Sequence, residues 1–177
     1  MEIIKYPHSI LLKKCEKVAV GDEKCARLLD KMLVTLHRVA GAGLAAPQVG
    51  IAKRMVVIDL REIDEAQKIY KMINPIFTWK SNVSVESEEG CLSIPFLREI
   101  IQRHESVSVE YLDENFQKCT IEKATGFLAY CLQHELDHLD GKLYIDLLSK
   151  VKRASALRKY KKLLEEQSKT GENNAPL

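Results

Sequence analysis

Between residues 22 and 40 the apolar positions Leu28, Leu29, Met32, Leu33, Leu36 and Val39 recur at steps of three and four. That spacing predicts an amphipathic helix, with Asp22 as its N-cap and Gly41 as its stop. GAGLAAPQVG, residues 41–50, is punctuated by glycine and proline and reads as a loop, and RMVVIDL, residues 54–60, as a short strand. From about residue 69 to 122 the chain has strand character; Val107, Val109 and Tyr111 alternate, and DENF, residues 113–116, predicts a hairpin turn. Helical spacing returns over Thr125 to Leu139, where Phe127, Leu128, Cys131, Leu132, Leu136 and Leu139 cover most of the circumference. A helix apolar on most sides is expected to be buried. A charged amphipathic helix is expected over 149–167. With no internal repeat and no linker, the pattern predicts one domain over 1–168 and a disordered tail over 169–177.

Composition narrows the class. A chain of 177 residues with 46% hydrophobic and 29% charged residues is long enough to bury a core and lies far from disordered or membrane compositions. MEIIKYPHSILLKKC has no apolar run behind a basic start, so a cytoplasmic protein without membrane association is expected. Five cysteines without CxxC spacing (Cys15, Cys25, Cys91, Cys119 and Cys131) predict reduced thiols, not a disulfide framework or a zinc ribbon. A net charge of +2 excludes little.

The chemistry lies in QHELDHLDG, residues 133–141. Its polar groups fall on the helix expected to be buried, and burying them without partners is costly. His134, Glu135 and His138 form HExxH. Four residues apart on a helix, the two histidines share one face and can grip one metal ion, while Glu135 is offset by about 100° and reaches a metal-held water without being a ligand. A catalytic metal of this kind wants a third protein ligand and one open position. No histidine follows His138, and the later glutamates lie in the charged helix and tail, so the third ligand is expected upstream. Cys91, in EEGCLSIP, is the best candidate among the cysteines. Read alone, that segment also suits a purely structural turn.

GAGLAAPQVG supports two readings. Its glycines and Pro47 may only end a helix and begin a turn; alternatively they let a substrate chain lie against the backbone, with Gln48 offering an amide donor to a developing oxyanion.

Taken together, GAGLAAPQ at 41–48, EGCLS at 89–93 and QHELDH at 133–138 resemble the three signature motifs of the peptide deformylase family, in the family's order and over nearly the whole chain. The resemblance implies an α+β fold, with antiparallel β-sheets packed around a central HExxH helix and with N-terminal and C-terminal helices. It implies that Cys91, His134 and His138 hold the metal, that Glu135 is the general acid and base, and that Gln48 and the backbone N–H of Leu92 form the oxyanion site. Gly43 would bind the extended substrate through its backbone, with Arg98 at the rim. The implied reaction removes the formyl group from N-formylmethionyl nascent peptides and releases formate. The implied cofactor is one divalent ion, Fe2+ first, with Zn2+, Ni2+ or Co2+ as alternatives.

Two departures stand out: Glu99 follows Arg98 where many family members carry glycine, and Ala42 replaces a larger aliphatic residue. Asp137 is expected either to face water or to pair with Arg103. Lys150, Lys152, Arg153, Arg158, Lys159, Lys161 and Lys162 make the last helix basic, either as a solvated face or as a contact with the ribosome. The competing functions are a small metallopeptidase and a catalytically inactive metal- or ribosome-binding family member.

Overall fold

The structure, a computed structural model, describes residues 1–63 and 68–170, apart from the side chains of 168–170. In chain order the main elements are α1 (Lys24–Arg38), β1 (Gly43–Ala45), β2 (Met55–Ile58), β3 (Tyr70–Lys80), β4 (Ser84–Cys91), β5 (Ile94–His104), β6 (Ser106–Leu112), β7 (Lys118–Thr125), α2 (Gly126–Leu139) and α3 (Lys150–Thr170). All the strand pairs are antiparallel: a five-stranded sheet in the order β1-β2-β3-β6-β7, and a separate hairpin of β4 and β5. Among the described residues no helix is long and apolar enough to cross a membrane.

The ends of α1 correct the expected caps. Asp22 sits one residue too early to be the N-cap, which is Glu23; its carboxylate instead accepts from the Lys24 N–H at 3.1 Å. At the other end Ala40, not Gly41, takes the left-handed conformation (φ 49°), and Gly41 N–H donates to Leu36 O at 3.1 Å. The expected loop over 41–50 contains β1, because the open edge of β2 offers partners to Gly43, Leu44 and Ala45, followed by a 3-10 turn over Ala46–Val49 with Pro47 in its first turn. The DENF turn is found where expected: Asp113 Oδ1 accepts from the N–H groups of Asn115 and Gln117, closing the β6–β7 hairpin.

α2 touches β1, β2, β5, β6 and β7. It ends in a Schellman motif, in which Gly141 N–H donates to His138 O and Lys142 N–H to Asp137 O. Only glycine suits position 141: φ is +71°, and a Cβ there would lie 2.7 Å from Leu12 O. Arg54, buried beneath this end, donates to Leu139 O at 3.3 Å, Asp140 Oδ1 at 2.7 Å and Pro75 O at 3.1 Å. The apolar wrap of α2 breaks at Phe127, which is 47% exposed.

Three apolar clusters hold these elements together. One packs α2 on the large sheet through Leu132, Leu136, Val107 and Val109, and a second packs α1 on the sheet's other residues through Leu29, Met32 and Leu36. The third joins α3 to the β4–β5 hairpin through Ala156, Tyr160, Leu97 and Ile101. By helix periodicity Ala156 and Tyr160 share one face of α3, so the basic residues fall largely on the exposed remainder.

Candidate active site

α2 presents His134 and His138 one turn apart, and Cys91 reaches them from the last position of β4. Cys91 Sγ lies 3.3 Å from His138 Nε2, and the ligand atoms of Cys91, His134 and His138 all lie within 4.8 Å of one another. A tetrahedral ion bound through one sulfur and two nitrogens needs ligand atoms roughly 3.4–3.6 Å apart. The donor set therefore fits a metal, and its thiolate-plus-imidazole chemistry suits zinc, iron, cobalt or nickel.

Charge favours the ligating forms. Burial pushes the Cys91 thiol up, but His138 and His134 outweigh it and hold the thiol well below its ordinary range. Cys131 shows the contrast: it lines the same cavity, yet burial and then the Glu135 and Glu89 charges push its thiol well above the ordinary value, leaving it an inert thiol.

Behind the ligands runs a buried chain of ion pairs. His134 Nδ1 meets Glu89 Oε2 at 2.8 Å, which directs Nε2 towards the ligand cluster. Arg103 grips Glu89 through Nε at 2.7 Å and a terminal nitrogen at 3.0 Å, and its remaining nitrogen meets Asp137 at 2.5 Å. Of the two readings of Asp137, the ion pair with Arg103 is the one found. Burial opposes the Glu89 charge, but the hydrogen bonds of Arg103 and His134 prevail and hold the carboxyl down to about 2. The sequence gave Glu89 no role, although β4 alternates so that Ser87 and Glu89 both point inward. Two other residues also went unassigned. Tyr144 stacks on His134 with ring centroids 5.9 Å apart and donates to Leu97 O, and Gln133 ties α2 to β5 through both backbone groups of His104.

Glu135 is 3% exposed, and its Oε2 has no hydrogen-bond partner among the described residues. Burial pushes its carboxyl up to about 7; Cys91 and Glu89 add to this and the two histidines oppose it. Gly43 of β1 passes directly over it: a Cβ at residue 43 would lie 2.5 Å from Glu135 Oε1 and 2.9 Å from Cys131 Sγ. Gln48 is buried, its Oε1 fixed by the Ala45 N–H at 2.8 Å, while Nε2 faces Cys91 Sγ at 3.6 Å and Ser93 Oγ at 3.3 Å. The amide is thus held with its donor end towards the ligand cluster.

These residues line one open cavity of about 930 Å³, which Gly43, Gln48, Cys91, Leu92, His134 and Glu135 share. Arg98, opposite Gly90 in the hairpin, is exposed on its wall, and Ala42 and Phe127 also line it. The sequence-derived candidates thus converge on a single groove containing a metal-ligand triad, a buried carboxyl and an oriented amide.

A sequence profile of the polypeptide deformylase family matches residues 1–154. The chain belongs to the polypeptide deformylase family. The peptide deformylase of Thermodesulfovibrio yellowstonii is 44% identical over 161 residues, covering 91% of this chain and 96% of the relative. That of Maricaulis maris is 42% identical over 162 residues, with 92% of each chain covered. The fold agrees as well. A crystal structure of peptide deformylase from Ehrlichia chaffeensis superposes with a TM-score of 0.85 at 40% identity, covering 94% of this chain and 98% of that one. A second structure of the E. chaffeensis protein, in complex with actinonin, gives 0.84 at 41% identity over 92% and 96% of the two chains. The relatives are enzymes of a metal-dependent family, and the Cys91, His134 and His138 cluster is this chain's candidate metal site.

Proposed function

We propose that this protein hydrolyses the formamide at the N-terminal formylmethionine of newly made peptides, releasing formate and a free α-amine. The observation that carries this reading is the placement of the buried Glu135 carboxyl against the backbone of β1, in the same groove as the ligand triad. An extended peptide lying along β1 at Gly43 brings its N-terminus to that carboxyl.

Cys91, His134 and His138 hold one divalent ion, which when bound polarises the formyl carbonyl and lowers the pKa of a water beside it. Glu135 accepts the proton of the attacking water and later delivers it to the departing nitrogen as the C–N bond breaks; a carboxyl raised by burial suits both directions of transfer. The Gln48 amide and the Leu92 N–H donate to the oxygen on which charge develops. Arg98 contacts the peptide at the rim of the groove. Fe2+ is the proposed native ion, and Zn2+, Ni2+ and Co2+ suit the same donors.

The substrate class places the protein in the cytoplasm, near translating ribosomes. The exposed cations Lys150, Lys152, Arg158 and Lys159 of α3 offer a surface for ribosomal RNA. Formate release from a formyl-methionyl peptide, with no cleavage of the same peptide lacking the formyl group, tests the reaction and separates it from peptidase activity.

A further inference from the structure

The turn between β4 and β5 contains only Leu92 and Ser93, since Cys91 pairs directly with Ile94. Two-residue hairpins that match the twist of their strands use left-handed residues. Neither Leu92 nor Ser93 has a positive φ; the left-handed residue is Phe96 (φ 68°), in a bulge three residues wide where Gly90 pairs with Arg98 and Cys91 with Ile94. A turn of this kind does not hold its own peptide planes, and bonds from outside must do so.

Those bonds come chiefly from the N-terminal segment. Lys5 Nζ donates to Leu92 O at 2.7 Å, and Tyr6 N–H donates to Ser93 O at 2.8 Å. Gln48 Nε2 donates to Ser93 Oγ at 3.3 Å. The Leu92 side chain rests beside Gly41, where a Cβ would lie 3.1 Å from Leu92 Cδ1. Of these contacts, only that of Lys5 engages the backbone of Leu92 itself, and it brings a positive charge to the wall of the reaction groove.

We infer that Lys5 is a positioning residue for deformylation: its ammonium pins the Leu92 carbonyl and so holds the Leu92 N–H in the direction the developing oxyanion requires. The cation also ties up a carbonyl that would otherwise compete as an acceptor at the edge of the groove. Neither the signature motifs nor the ligand geometry assigns Lys5 a role. The inference rests on the reaction proposed above.

The test compares wild type with Lys5→Met, which keeps the length and loses the charge, and with Lys5→Arg, which restores it. Kinetics use a formyl-methionyl peptide and metal content is measured on each sample. An oriented charged hydrogen bond at an exposed position predicts a roughly five- to tenfold fall in kcat for Lys5→Met. KM should stay within about twofold and metal content should be unchanged, with Lys5→Arg recovering most of the loss. In the zinc-loaded protein, the Leu92 and Ser93 amide NMR signals should shift and broaden in Lys5→Met, return in Lys5→Arg, and leave those of α2 in place.

An unchanged kcat overturns the inference. So does a rise in KM alone, which would make Lys5 a substrate contact, or a parallel loss of kcat and metal, which would make it a structural prop. If wild type itself releases no formate, the proposed reaction fails first, and the NMR comparison still decides whether Lys5 orders the turn.

Discussion

The backbone of Gly43 runs so close to the carboxyl of Glu135 that a methyl group at residue 43 would lie 2.5 Å from Oε1. The contact fixes two things at once: the strand along which a peptide can lie, and the direction of the buried carboxyl. Gly43→Ala must therefore push Glu135 or β1 aside. Turnover should fall on the order of a hundredfold, since a displacement of about 1 Å costs that much in an oriented site. Overpacking should cost about 1–3 kcal/mol of stability. Steady-state kinetics with parallel urea unfolding checks both, and near-normal turnover would show that the contact does not matter.

Glu89 links the ligand His134 to Arg103, and Arg103 to Asp137. Glu89→Gln should weaken metal binding by about 10–100-fold, because the histidine loses the carboxylate that orients it. It should also destabilise the fold by about 3 kcal/mol, because Arg103 is left with only Asp137. Chelator competition and urea titration measure the two effects separately. A variant that holds its metal as tightly as wild type would remove Glu89 from the site.

The same carboxyl gives a pH signature. Its folded pKa, about 2, lies below the ordinary 4.5, so the stability it contributes is fully present above pH 4.5 and is lost as pH falls towards 2. Urea midpoints of metal-free wild type measured between pH 5 and 2.5 should drop more steeply than those of Glu89→Gln. Parallel curves would show that Glu89 is not held down in the folded state.

Ribosome contact by α3 is tested without truncation, because removing the helix would expose the core around Ala156 and Tyr160. Changing Lys152, Arg158 and Lys159 to glutamate should abolish salt-sensitive co-sedimentation with ribosomes while leaving formate release from a short peptide intact. Co-sedimentation unaffected by the substitutions would confine those residues to a solvated face.

How much of this was readable in advance depends on how local each signal is. The HExxH face and the Schellman stop at Gly141 are set by helix periodicity and backbone conformation, so α2 could be read almost to its ends. β1 could not: three residues inside a glycine- and proline-marked segment become a strand only because β2 leaves an edge to pair with. The cap of α1 was misread by one residue, since Asp22 and Glu23 compete for the first turn and sequence does not rank them. Arg103 and Asp137 could be matched because one strand must carry Arg103 past the helix. Glu89, the residue that joins both to His134, went unassigned because its partners come from β5 and α2, 14 and 45 residues away. Tyr144 was missed for the same reason, as its stacking on His134 depends on a turn that no periodicity marks.

Glu135→Gln isolates the proton carrier from the metal site. The amide is nearly isosteric, so the variant should fold, bind metal as wild type does, and lose at least about 100-fold in turnover. The most direct measurement is formate release from a formyl-methionyl peptide by protein purified without oxygen, with the bound metal quantified and this variant run alongside. We expect wild type with one divalent ion per chain to release formate stoichiometrically with free amine, and Glu135→Gln with the same metal content to release almost none. Equal formate release by the two proteins, or none from fully metallated wild type, would contradict hydrolysis by this site.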